Sequence, residues 1–234
     1  MSVFTIADMH LSHTTNKPMD IFGPRWENHT ERLRENWQAV VKPEDTVIIA
    51  GDISWGMRTD DALADLMFIE SLNGKKIIAK GNHDYWWQTM KKLYELRDSV
   101  GAKSIDFLFN NAYVAEDYII CGTRGWFPES NYGPSDEKIV NREAERLRTS
   151  ILAGLELKKE HPEKEMLVFL HYPPAYGSVK CERICEVIKE YGIKRVFYGH
   201  LHGALKSRLI YQIAGANLTL VAADWLDFHP LEIK

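Results

Sequence analysis

Cysteine is scarce in this 234-residue chain, which carries only three. That is too few for a disulfide framework, and a reducing cytoplasm is the expected setting. Long apolar runs are also absent. None approaches the ~20 residues needed to cross a bilayer, so no membrane partner is expected. No basic stretch leads into an apolar one at the start, where Met1-Ser2-Val3-Phe4-Thr5-Ile6 passes straight into a strand-like run, so no export signal is expected. A basic excess is missing as well: 29 Lys and Arg stand against 33 Asp and Glu, for a net charge of -4. A dedicated surface for long nucleic acids is therefore not expected. Repeats, low-complexity tracts and linkers are lacking. With 45% hydrophobic residues, residues 1–234 are expected to form a single domain around one core.

The pairing of Cys181 with Cys185 is the one cysteine spacing of interest, since residues four apart share a helix face. No second pair completes a zinc site. Packing within an amphipathic segment is the expected role.

The first third alternates strand-like and helix-like segments: Val3 to Ala7, Thr46 to Ala50 and Lys76 to Ala79 as strands, with Thr30 to Val41 and Asp60 to Leu72 as helices. This βαβαβ rhythm implies parallel strands. Ile105 to Phe109, Ala112 to Ala115 and Tyr118 to Gly122, with the turn-prone Asn110-Asn111 between the first two, predict short antiparallel strands. Thr123 to Pro134 is rich in Gly, Pro and aromatics and predicts a surface loop, followed by a charged helix near Asp136 to Glu160. The rhythm then resumes with strand Met166 to Leu170, helix Val179 to Tyr191 and strand Arg195 to Tyr198. Apolar runs at Leu205 to Ile213, Leu218 to Ala223 and Phe228 to Ile233 predict a closing meander. The expected class is α/β, with two facing mixed sheets flanked by helices.

Residue types that bind metals recur just after these strands. Asp8-Met9-His10 follows the first, Gly51-Asp52 the second and Gly81-Asn82-His83-Asp84 the third. His171 and then Gly199-His200-Leu201-His202 follow two later strands. The carboxyl ends of parallel strands lie along one sheet edge, so these five loops can meet in one crevice. Any one of them has an ordinary explanation as a turn or a hydrogen-bonded loop residue. Five together point to a site.

The full set, Asp8-x-His10, Gly51-Asp52, Gly81-Asn82-His83-Asp84, His171 and Gly199-His200-x-His202, resembles the calcineurin-like metallophosphoesterases over most of the chain. The family's sandwich of sheets flanked by helices agrees with the pattern above. The resemblance implies one metal held by Asp8, His10, Asp52 and His202, and a second by Asp52, Asn82, His171 and His200, with Asp52 bridging. Imidazole and oxygen donors without thiolates favour manganese, iron or zinc. A hydroxide between the two metals would attack phosphorus, and His83 would protonate the leaving oxygen or stabilise its charge.

One departure matters. In the serine/threonine phosphatases of the superfamily an Asp and an Arg follow the bridging Asp, whereas Ile53-Ser54-Trp55-Gly56 follows here, and Trp55 stands in the Asp position. Asp84 then becomes a candidate for orienting His83. Trp55, Trp86, Trp87 and Trp126 can each contact substrate or simply pack. Arg124 and Arg58 can each grip phosphate oxygens or remain solvated. The expectation is a phosphate mono- or diesterase for a small or nucleotide-like substrate. The alternatives are a phosphoprotein phosphatase, which Trp55 and the missing Arg disfavour, and a non-catalytic scaffold, which the complete ligand set disfavours.

Overall fold

The structure, a computed structural model, describes residues 1–127 and 133–234. Thirteen strands and five α-helices are assigned among them. In chain order the strands are β1 (Val3–Ile6), β2 (Thr46–Ile49), β3 (Lys75–Ala79), β4 (Ile105–Leu108), β5 (Tyr113–Ala115), β6 (Tyr118–Thr123), β7 (Glu165–Leu170), β8 (Ala175–Tyr176), β9 (Val179–Lys180), β10 (Arg195–Tyr198), β11 (Gln212–Ile213), β12 (Ala216–Leu220) and β13 (Leu231–Ile233). The helices are α1 (His29–Val40), α2 (Leu63–Ser71), α3 (Met90–Ser99), α4 (Pro134–Glu160) and α5 (Glu182–Glu190).

These strands make two large sheets, ordered β13-β1-β2-β3-β4 and β11-β12-β10-β7-β6-β5. Both are mostly parallel, with antiparallel strands at their margins. Alternation along each strand sorts its side chains into layers. From β1, β2 and β3, Val3, Ile48 and Ile77 point inward to meet Ile120, Leu167, Phe169 and Phe197 of the other sheet. Their neighbours Phe4, Ile6, Val47, Ile49 and Ile78 point outward, into a cluster with Leu33, Trp37, Leu66, Leu93 and Leu96 of α1, α2 and α3. On the far side Ile119, Val168, Val196 and Tyr198 pack against Leu147 and Ile151 of α4 and Ile184, Val187 and Ile188 of α5. Both sheets are thus covered on both faces, which is why their strands read as unbroken apolar runs. The expected four-layer arrangement is present. No helix among the described residues is long and apolar enough to cross a membrane.

Three local expectations are corrected. β4 does not join an antiparallel group: it pairs parallel to β3, because α3, which the sequence pattern did not reveal, supplies the crossover. Of the middle strands only β5 and β6 form a hairpin, and β6 then pairs parallel to β7. The last segments are no meander. β12 lies parallel to β10, and the chain then crosses to the first sheet, where β13 runs antiparallel to β1. The expected helix at Val179 begins later: Val179–Lys180 forms β9, and Cys181 precedes α5. Cys181 and Cys185 are buried free thiols in the core, as their packing role requires. Of the expected surface loop, residues 128–132 lie outside the described residues.

At the carboxyl edge the two sheets are stitched together. The Ala7 N–H donates to the Val221 carbonyl (2.8 Å), and the Ala223 N–H donates to the Ala7 carbonyl (2.8 Å). A second anchor is the ammonium of Lys76, a buried residue that donates to the carbonyls of Leu72 (2.7 Å), Gly74 (2.9 Å) and Glu70 (3.4 Å). It satisfies carbonyl groups that the end of α2 leaves without helical partners. Lys76→Met keeps the stem but leaves those carbonyls unsatisfied, and urea denaturation should show a loss of roughly 1–3 kcal/mol.

Candidate metal centre and substrate cleft

The carboxyl ends of β1, β2, β3, β7 and β10 bring Asp8, His10, Asp52, Asn82, His83, His171, His200 and His202 to one place. The loops are built together: the Asp8 N–H donates to Gly51 (2.9 Å) and the His10 N–H to Asp52 (3.0 Å). Asp8, His10, Asp52 and His200 all take left-handed backbone conformations, with φ of 59°, 47°, 52° and 69°. Such strain in residues other than glycine collects where surrounding structure enforces a functional geometry. Two glycines make room. A Cβ on Gly81 would lie 2.1 Å from Asp52 Oδ1, and one on Gly199 would lie 2.3 Å from Asp8 Oδ2. No side chain fits at either position.

Each buried carboxylate has one oxygen fastened and one bare. Asp8 Oδ2 accepts the His200 N–H (2.8 Å) and Asp52 Oδ1 accepts the His83 N–H (2.8 Å). Asp8 Oδ1 and Asp52 Oδ2 are buried and have no hydrogen-bond partner. Around them, His10 Nε2 and His202 Nε2 lie 3.0 Å apart. Asn82 Oδ1 lies 2.6 Å from His171 Nε2 and 3.0 Å from His200 Nδ1. Asp52 Oδ2 sits between the two halves, 3.8 Å from His10 Nε2 and 3.4 Å from His171 Nε2. Donor atoms of Asp8, His10 and His202, and again of Asp8, Asp52 and His171, lie within 4.8 Å of one another.

The electrostatics follow from this crowding. Burial pushes the Asp8 carboxyl up to about 7, and burial followed by Asp8 and Asp84 pushes Asp52 well above its ordinary range. Burial, and then neighbouring imidazoles, hold His10 and His171 far below the usual histidine value. Buried acceptors in low dielectric are costly unless a cation compensates them. The donor set fits divalent metal ions.

A backbone carbonyl and one further side chain hold the ligands in place. His171 Nδ1 lies 3.1 Å from the Ala50 carbonyl, which turns Nε2 toward the cluster. His202 Nδ1 lies 3.0 Å from Asp224 Oδ1, and Asp224 Oδ2 accepts the Gly203 N–H (3.0 Å). Asp224 was not singled out from the sequence. Its signal was present, since an acid directly after the β12 run obeys the same strand-end rule as the others.

The candidate role of Asp84 is corrected. Its carboxylate accepts N–H groups of Gly81 (2.8 Å), Asp52 (2.9 Å), Ile53 (2.9 Å) and Ser54 (3.3 Å) and the Trp86 indole N–H (3.0 Å). It is wholly engaged in tying the β2 and β3 loops together. What meets the His83 ring is Trp55, at 4.4 Å between centroids, and Trp55 also stacks on His10 at 4.8 Å and 22°. His83 is half-buried, and burial with nearby imidazoles depresses it to about 4.

His10, His83, Trp55, His202 and Asp224 line a cleft of about 460 Å³, together with Met19, Phe22, Arg25 and Trp26. Arg25 and Trp26 lie on a short 3-10 turn, Pro24–Trp26, that the sequence pattern did not mark. Arg58 is exposed and does not line this cleft, and Arg124 belongs to a separate pocket, 3.6 Å from Glu143. Trp86 and Trp87 are core residues. Trp126 packs against Tyr172.

Residues 1–204 match the calcineurin-like phosphoesterases, and the chain belongs to that family. Over 78 residues it is 35% identical to the Gene 66 protein of Mycobacterium phage L5, a match taking in 33% of this chain and 37% of that protein. Among solved structures, a protein of unknown function from Aquifex aeolicus shares the fold with a TM-score of 0.55 at 17% identity, over 99% of this chain and 95% of that one. The phosphopantetheinyl hydrolase of Mycobacterium tuberculosis does so with a TM-score of 0.51 at 15% identity, over 99% and 95%. The chain thus joins the fold of this family to a buried cluster of Asp and His donors that could hold metal ions.

Asp224→Asn removes the charge behind His202 and keeps the shape. It should weaken metal binding by roughly 10- to 100-fold, read by titration against a competing chelator, with little change in thermal unfolding of the metal-free protein.

Proposed function

We propose that this chain is a dinuclear phosphoesterase of the cytoplasm that hydrolyses phosphate mono- or diesters of a small or nucleotide-like substrate. The observation that carries the reading is the pair of buried carboxylates, Asp8 and Asp52, each with one oxygen fastened and one bare toward a ring of imidazoles. Asp8, His10, Asp52 and His202 would hold one ion, and Asp52, Asn82, His171 and His200 the other. Asp52 would be shared, since its bare oxygen faces both halves. Imidazole and oxygen donors favour manganese, iron or zinc. When bound, such ions acidify water toward hydroxide and neutralise charge on phosphoryl oxygens.

The chain's own residues do the rest. The cleft admits the ester from the side of His10 and His202, and Trp55 and Trp26 offer ring surfaces to a base or another planar group. Arg25, exposed in the cleft wall and 3.6 Å from Asp224, is placed to meet an anionic oxygen. His83 stands in the same wall and gives its proton to the leaving oxygen. Burial depresses the free ring, and the negative charge of a bound phosphate opposes that depression.

Two experiments test this reading. Chelation should abolish hydrolysis of nitrophenyl phosphate esters and manganese should restore it, with Asp52→Asn impairing binding of both ions by metal analysis. Full activity in verified metal-free protein would refute the proposal. His83→Ala should keep its metal and lose about 10²- to 10⁴-fold in kcat/KM on an alkyl or ribose ester. The loss should be much smaller on the nitrophenyl ester, whose leaving group departs without a proton. Equal losses on both would assign His83 to charge stabilisation instead.

A further inference from the structure

The carboxyl edges of the sheets carry three neighbouring stations. The aromatic cleft lies at the β1 and β12 end, and the metal-ligand cluster occupies the middle. At the β3, β4 and β6 end lies a second pocket, of about 240 Å³, between Lys80, Thr123, Arg124, Arg142, Glu143 and Arg146. Its floor is Leu108 and Phe109.

The charges in this pocket do not balance. Glu143 is fully buried and accepts Thr123 Oγ1 (2.8 Å) and Arg146 Nη1 (2.7 Å), with Arg124 Nη2 and Arg142 Nε each 3.6 Å away. One carboxylate thus faces three guanidinium groups, and the Lys80 ammonium lines the same pocket. The guanidinium groups outnumber the acid they surround. The guanidinium groups are also held by packing, Arg124 over Trp126 (5.3 Å) and Arg146 over Phe109 (5.0 Å). Arg124 Nε is buried without a hydrogen-bond partner. Pre-placed, incompletely used guanidinium groups are the usual means of gripping phosphate.

The pocket is joined to the metal cluster through the backbone. The Arg124 carbonyl accepts the N–H of His171 (3.0 Å) and of Tyr172 (2.9 Å), and Lys80 stands two residues before Asn82. At about 240 Å³ it is smaller than the roughly 300–1,000 Å³ of clefts that take drug-sized ligands. The size suits a phosphoryl or diphosphoryl group. The chain's net charge of -4 argues against a long polyanion.

We infer that the Lys80, Arg124, Arg142 and Arg146 pocket binds a second phosphoryl group of the substrate, while the scissile phosphate sits at the metal-ligand cluster. The inference rests on the proposed function for the scissile site, and it narrows the substrate class to esters that carry two separated phosphoryl groups. Glu143 then acts as the buried counter-charge that fixes the arginines when the pocket is empty.

The test uses the metal-loaded protein and Arg142→Glu, a substitution at a side chain that is 54% exposed. Calorimetric titration with methylenediphosphonate, a non-hydrolysable diphosphate, should count one site fewer in Arg142→Glu than in wild type. Arg146→Ala should weaken that same site. For hydrolysis, kcat/KM on a nucleoside 3′,5′-bisphosphate should fall by at least about tenfold in Arg142→Glu, and by much less on the matching 5′-monophosphate, since a charge-assisted contact is lost only with the former. The same site count in both proteins, or equal losses on both substrates, overturns the inference. Failure of the proposed function is told apart from this: either wild type hydrolyses no ester or metal-free protein keeps full activity, and in both cases the Arg142-dependent binding site remains.

Discussion

Two carboxylates, Asp8 and Asp52, lie buried at the seam between the sheets, each with one oxygen tied to a backbone N–H and the other facing imidazoles. Everything at this edge of the fold is arranged around them. Buried charge without compensation is among the most unfavourable arrangements a protein can hold. Here burial drives both acids toward their protonated forms. The loops nevertheless keep them facing the cluster, through left-handed backbone at Asp8, His10, Asp52 and His200 and the glycines that admit Asp8 and Asp52. Such strain is stable only because other groups over-determine it. Asp84, with five donors on its two oxygens, locks the β2 and β3 loops, and the Ala7 to Val221 and Ala223 bonds lock β1 against the second sheet.

The same edge separates binding tasks by chemistry. Toward β1 and β12 the wall is aromatic and apolar, from Trp26, Trp55, Met19 and Phe22. Toward β3, β4 and β6 it is cationic. Under the proposed function, a phosphate ester placed between them would be read on one side by ring surface and on the other by charge. Ring contacts tolerate varied planar groups, whereas fixed guanidinium groups discriminate by charge and geometry. On the inferred division the basic pocket would set the substrate's charge, and the aromatic cleft would restrict its shape more loosely.

Much of this was legible in the sequence, for a definite reason. In an α/β sheet function collects at strand ends, and a strand end is visible as the break of an apolar run followed by Asp, Asn, His or Gly. Asp8, Asp52, Asn82, His171, His200 and His202 all obey that rule, and Asp224 obeys it too once β12 is placed. What stayed hidden depends on packing across long sequence distances. The parallel pairing of β4 depends on α3, whose apolar positions Leu93 and Leu96 are embedded in charge. Arg25 and Trp26 reach the cleft from a 3-10 turn with no periodicity to mark it. The four cations of the basic pocket come from three segments, and only the fold reveals that they line one pocket. Asp84 misled because a carboxylate beside a histidine in sequence need not touch its ring.

The replacement of an expected Asp by Trp55 then acquires a physical meaning. A carboxylate beside His83 would raise its proton affinity and fix its ring by a hydrogen bond. Trp55 does neither. Its ring packs against His83 and stacks on His10, while its own indole N–H points to the Met19 sulfur (3.1 Å) and Lys17 lies over its face (4.4 Å). His83 is therefore positioned by packing, and its proton affinity is left to the burial, the neighbouring imidazoles and Lys17 that depress it, and to the charge of whatever occupies the cleft. Under the proposed function, coupling the protonation of His83 to occupancy in this way would tie proton donation to the presence of an anionic ester. It would also link His83 to the cleft wall, since Trp55 touches one and lines the other. Under the proposed function, a substrate filling the aromatic cleft would press on the residue that packs against His83, so shape recognition and leaving-group protonation would meet in one side chain.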